Sequence, residues 1–115
     1  MLNGNVEDIY FGIAKKIVEK IDDDWVKAEL KAEIYGDAAK FRGTYNSSLA
    51  QEQQKFFKVH HELFDLFEEL HKITTENPNN KWNRAIFTLE PSGSFNIDFE
   101  WDQALADEIE RLNNE

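Results

Sequence analysis

The sequence predicts an α+β domain. It holds a four-stranded antiparallel sheet, made of two hairpins, packed against helices in the order α-β-β-α-β-β-α. Three observations lead there. Residues 95–102 alternate apolar and polar side chains without a slip, and 25–35 alternates five times from Val26 to Ile34, the period of a half-buried strand. Residues 5–21 and 48–76 instead repeat apolar residues every three or four places, the period of an amphipathic helix. Turn-forming residues separate successive alternating segments, so the strands join as hairpins. The helical stripes must then be buried on one face of that sheet.

The first helix, 5–21, carries Val6, Ile9, Ile13, Ile17 and Ile21, with Tyr10 beside them. Phe11, Ala14 and Val18 make a narrower second stripe. Asp22, Asp23 and Asp24 would oppose the dipole at the helix C-terminus, so they read as a solvated turn. A strand over 25–35 sets Val26, Ala28, Leu30, Ala32 and Ile34 against Lys27, Glu29, Lys31, Glu33 and Tyr35. Gly36-Asp37 suits a tight turn, and 38–46 alternates again around Ala39, Phe41, Gly43 and Tyr45.

The long helix is expected to start at Ser48. With Gln51 three places on, Ser48 resembles a capping box. Phe56, Val59, Leu63, Leu66, Phe67, Leu70 and Ile73 form its stripe, widened by Phe57 and Phe64. Asn77-Pro78 ends it, because the residue before proline resists the helical region. A second hairpin follows, with strands 82–89 and 95–101 around the turn residues Pro91 and Gly93. Asp102 can cap a short last helix with an apolar face of Leu105, Ile109 and Leu112.

Bulk composition narrows the class. The 115 residues fit one domain over 1–115, with 41% hydrophobic and 13% aromatic content, too apolar for a disordered chain. No apolar run reaches the roughly 18–20 residues of a membrane helix, and no signal-peptide pattern opens the chain. There is no Cys, which excludes a disulfide scaffold, a Cys-ligated zinc and a thiol nucleophile. The expected location is cytoplasmic.

Charge is more specific. Twenty-three acids against thirteen bases leave a net charge of −10. Residues 86–115 hold Glu90, Asp98, Glu100, Asp102, Asp107, Glu108, Glu110 and Glu115 against Arg111 alone, so 8 − 1 gives seven net negatives. Such a field repels nucleic acid and anionic membrane and draws in a basic partner. Solubility alone is an equally ordinary reason for an acidic surface.

The residues give no catalytic constellation. Asp98, Glu100 and Asp102 alternate along one strand, about 6.5–7 Å apart, too far to share one ion unaided. That row can be a solvated face, a protein-docking strip or, with help such as Glu90 from across the hairpin, a metal or acid–base site. Glu62, Asp65 and Glu69 form a second acidic flank on the long helix. His60 and His71 are about 16 Å apart along a helix and cannot share a metal; His61 has Asp65 one turn on. All three histidines read as rim residues of the long helix. No nucleophile elbow or glycine-rich phosphate loop occurs, and Ser92 and Ser94 belong to a turn. No basic-aromatic patch for nucleic acid is present. No cofactor is expected.

Three stretches resemble the YezG-like immunity (antitoxin) family. "IYFGIAKKIVEKIDDDW" is similar to its opening helix, with Trp25 entering the first strand. "FFKVHHELFDLFEELHK" is similar to its long helix. "WNRAIFTLEPSGSFNIDFEWD" is similar to its second hairpin, with Trp82, the Gly93-x-Phe95 turn and an aromatic-acidic last strand. The resemblance spans about residues 7–102. The short "ALADEIERLNNE" departs from the longer Arg- and Tyr-rich end common in the family, and the first hairpin looks shortened.

The resemblance implies a non-enzymatic protein that binds and neutralises a cognate polymorphic toxin, commonly one with a nuclease domain. The expected toxin-binding residues are Glu90, Asp98, Glu100, Asp102, Glu62, Asp65 and Glu69. Occlusion of the toxin's active surface is the preferred mechanism, and exosite binding the alternative. A DNA-mimic inhibitor of another nucleic-acid-binding protein, and a carboxylate-based metal-dependent hydrolase, are the competing functions.

Overall fold

A computed structural model describes residues 6–22, 24–35, 38–50, 52–76 and 81–113. The elements are α1 (Val6–Lys20), β1 (Trp25–Tyr35), β2 (Ala38–Ser47), β3 (Gln54–Phe57), α2 (His61–Thr74), β4 (Arg84–Leu89), β5 (Phe95–Glu100) and α3 (Gln103–Asn113). The α+β class and the antiparallel pairing are as expected. The sheet has five strands rather than four, in the order β3-β2-β1-β4-β5.

The fifth strand comes out of the expected long helix. Gln54–Phe57 pairs with Gly43–Asn46 of β2, and α2 begins only at His61. Gly43 is the physical reason for this register. A Cβ there would lie 2.5 Å from the Phe57 ring, so only glycine lets Phe57 lie across β2 and be buried. Ser48 caps nothing in a helix. Its hydroxyl and its N–H both donate to the Asp24 carbonyl oxygen, tying the end of β2 to the start of β1. Phe56 lies on the solvent-facing side of β3, and His60 precedes α2 instead of lying within it. Gln51, Gly36-Asp37, Asp23 and Asn77-Pro78 lie outside the described residues.

The core is a single layer between sheet and helices. Ile9, Ile13 and Ile17 of α1 and Leu63, Phe67 and Leu70 of α2 cover Ala28, Leu30, Ala32, Ala85, Phe87 and Leu89. Phe41 of β2 meets Phe64 and Phe67 edge-on at 5.6 and 5.5 Å. Val26 departs from its expected core side and is partly exposed. The β1–β2 register shifts between Trp25 and Lys27, and the extra residue in that bulge is Val26.

Three small devices fix the second hairpin. Gly93 has φ 97° and its N–H donates to the Glu90 carbonyl, closing the turn expected from Pro91 and Gly93. Buried Asn83 clamps the far end: its Nδ2 donates to the Asp102 carbonyl at 2.9 Å, and its Oδ1 accepts from the Asp102 N–H at 2.7 Å. Asp102 Oδ1 accepts from the Leu105 N–H, so Asp102 caps α3 as expected. Of the α3 stripe, Leu105 is buried, Ile109 half-buried and Leu112 exposed.

Candidate protein-docking surface

Strand alternation sorts the charged residues onto two sides. On β4, Ala85, Phe87 and Leu89 lie under the helices, which puts Arg84, Ile86 and Thr88 on the open side. Register then places Glu100 beside Arg84, Asp98 beside Ile86 and Asn96 beside Thr88 on that same side. No helix of the described residues packs there.

The seven expected site residues do not form one cluster. Asp98 and Glu100 share the open side of β5, and both are exposed. Asp98 accepts a hydrogen bond from Asn96 Nδ2 at 3.1 Å. Glu90 stands exposed at the hairpin turn, near the other end of β5. Asp65 and Glu69 are exposed on α2, in the layer behind the sheet. Those two sets face different directions.

The remaining two carboxylates are occupied. Arg84 reaches Glu33 at 2.8 Å and Asp102 at 3.1 Å, while Asp102 also serves as the α3 cap. Glu62 meets Lys16 of α1 at 2.7 Å. That hydrogen bond, with the lysine's charge, holds the Glu62 carboxyl below its ordinary value and raises Lys16. Both pairs join elements of this chain to each other.

Apolar residues complete the surface. Phe95, Phe99 and Trp101 are 37%, 38% and 42% exposed along the helix side of β5 and its extension. Phe95 stacks on Phe87 at 5.2 Å and leans on Tyr10 at 5.5 Å; Phe99 lies 4.8 Å from Trp82. Trp82 itself is buried, donating Nε1–H to Thr74 Oγ1 at 2.8 Å. Its carbonyl lies 2.9 Å from His71 Nε2, so the expected rim histidine is a structural contact. Lys81 stands 4.9 Å over the Trp101 ring. Sequence alternation marks these aromatics as core. Their partial exposure follows from the outermost position of β5, which no alternation reveals.

Among the described residues, no three or more His, Cys, Asp or Glu side chains stand close enough to hold a metal ion. No described helix is long and apolar enough to cross a membrane.

The family model for the immunity protein YezG-like family matches residues 45–115. That is well over half of the chain. The chain belongs to the YezG-like immunity protein family. Two relatives agree. Immunity protein YezG of Bacillus subtilis (strain 168) is 29% identical over 119 residues, covering 91% of this chain and 79% of the relative. Immunity protein YezG of Bacillus spizizenii (strain ATCC 23059 / NRRL B-14472 / W23) is 27% identical over 116 residues, covering 89% and 72%. The YezG-like match includes β3, α2, the second hairpin and α3, so it contains all of β5. An immunity protein acts on another protein, and the YezG-like chain presents carboxylates beside partly exposed aromatics on one edge strand.

Proposed function

We propose that this protein binds and neutralises a cognate toxin, a basic nuclease domain, by covering its active or substrate-binding surface. It acts by binding, without catalysis and without a cofactor. The observation that carries the reading is the β5 edge, where exposed Asp98 and Glu100 lie back to back with partly exposed Phe95 and Phe99. The two halves of that edge do different jobs. Carboxylates steer a basic partner and speed association, and desolvated aromatics slow its release. Family membership supports the toxin as partner.

Within the seven acids, Asp98 and Glu100, flanked by Glu90, are the toxin-facing set. Asp102 and Glu62 act through the scaffold, and Asp65 and Glu69 point from another layer. If a toxin domain is encoded beside this protein's gene, co-expression with it should rescue growth and give a stable complex. The pair D98N/E100Q should slow association at least tenfold at low salt and flatten its salt dependence. Unchanged association kinetics would move the interface away from β5.

A further inference from the structure

The two edges of the sheet are protected very differently. β3 is four residues long and carries Lys55, a short and charged edge of the kind that resists further pairing. β5 is six residues long and contains no Pro, no Lys and no Gly. Among the described residues it pairs only with β4, and no described strand lies along its outer backbone edge. None of its residues is buried. Beside it, on the helix side, Val6, Ile73, Trp82 and Phe99, together with Thr74, Glu76 and Lys81, line a mostly apolar open cavity of about 560 Å³.

An edge of this kind invites another strand, and the charges select which one. A strand laid along β5 puts alternate side chains beside Phe95, Ile97 and Phe99 on the helix side. The others fall beside Asn96, Asp98 and Glu100 on the open side. A second copy of β5 would bring carboxylates against carboxylates, which is unfavourable for directly opposed cross-strand pairs. A segment alternating apolar and basic residues satisfies both sides at once. Its apolar residues extend the Phe95–Phe99 row towards the cavity, and its Lys or Arg residues pair with Asp98 and Glu100.

We infer that β5 accepts an extended segment of the toxin as a sixth strand, one in which apolar residues alternate with Lys or Arg. This rests on the toxin-binding function proposed above and specifies how the same surface is used. Main-chain hydrogen bonds supply the adhesion and the two rows of side chains supply the choice of partner.

Amide hydrogen exchange on the free protein and on its complex with the adjacent-gene toxin domain tests it. Strand addition predicts at least tenfold slower exchange at alternate amides of residues 95–100, those not already bonded to β4, and little change in residues 54–57. A complex that forms while the 95–100 amides keep their free rates would overturn strand addition and leave toxin binding intact. If no complex forms, the toxin-binding reading itself falls. The double variant D98K/E100K separates backbone from charge selection: at low salt it should bind the toxin domain at least tenfold more weakly. Equal affinity would overturn the alternating basic strand.

Discussion

At the residue scale, identical side chains in one short stretch have different duties. Asp98 and Asp102 are four apart and both acidic, yet only Asp102 is built in. It bonds Asn83 through its backbone, caps α3 and pairs with Arg84. Losing an N-cap costs roughly 1 kcal/mol, and the lost charge pair adds to it. D102A should therefore lower unfolding stability by about 1–2 kcal/mol in urea titration, while D98A stays within about 0.5 kcal/mol of the parent. Equal losses would mean the clamp is not what holds α3. Gly43 gives a second case. G43A places a methyl group into the Phe57 ring, so it should cost about 1–3 kcal/mol, the ordinary penalty of overpacking. Pairing it with F57A should recover part of that loss, because the smaller side chain leaves room for the Cβ.

At the element scale, the Lys16–Glu62 contact joins α1 to α2. The Glu62 carboxyl is lowered in the fold by its hydrogen bond to Lys16 and then by the lysine's charge. A lowered carboxyl stabilises the fold above its unfolded pKa and loses that contribution as pH falls through the folded value. The melting temperature of E62Q should thus lie below the parent at pH 7. That gap should close as pH drops below about 4.3, the usual glutamate value, and on through the lowered one. A gap that persists unchanged into acid would assign the effect to packing. Raised Lys16 gives the mirror behaviour: its share is present at neutral pH and lost only as pH rises through the lysine's folded value.

β3 shows how far local pattern carries an element. The stripe that runs from Phe56 to Ile73 suits a helix throughout, and residues 61–74 obey it. Residues 54–57 do not, because pairing with β2 buries Phe57 over Gly43. A helix continued backwards from His61 would forgo that burial. The decisive partner, Gly43, lies on a neighbouring strand, and periodicity compares residues along one element without saying what pairs beside it.

At the scale of the whole molecule, the acidic residues divide between layers. Asp98 and Glu100 face out from the sheet, and Asp65 and Glu69 face out from α2 behind it. One flat partner cannot cover both. D65N/E69Q should leave the association rate with the toxin domain within about twofold, whereas D98N/E100Q slows it at least tenfold. Stopped-flow measurements at two salt concentrations separate the cases. A slowing shared equally by both pairs would point to the general −10 charge and not to a local edge.

Legible in the sequence alone were the class of fold, the two hairpins, the core faces of α1, β4 and, past Val26, β1, the Gly93 turn, the Asp102 cap and membership of the immunity family. These depend on local periodicity, on turn and cap chemistry, and on motifs kept in order along the chain. The remainder came from how the elements pack. Packing made β3 a strand through Gly43, took Glu62 and Asp102 into ion pairs within the fold, and set Asp65 and Glu69 in a different layer from Asp98 and Glu100. It also put β5 at the edge, so that Phe95 and Phe99 are half covered instead of buried. The physical reason is common to all four. Alternation says which side of a strand a residue takes, but strand order and the charges brought near it decide whether that side meets protein, a counter-ion or solvent.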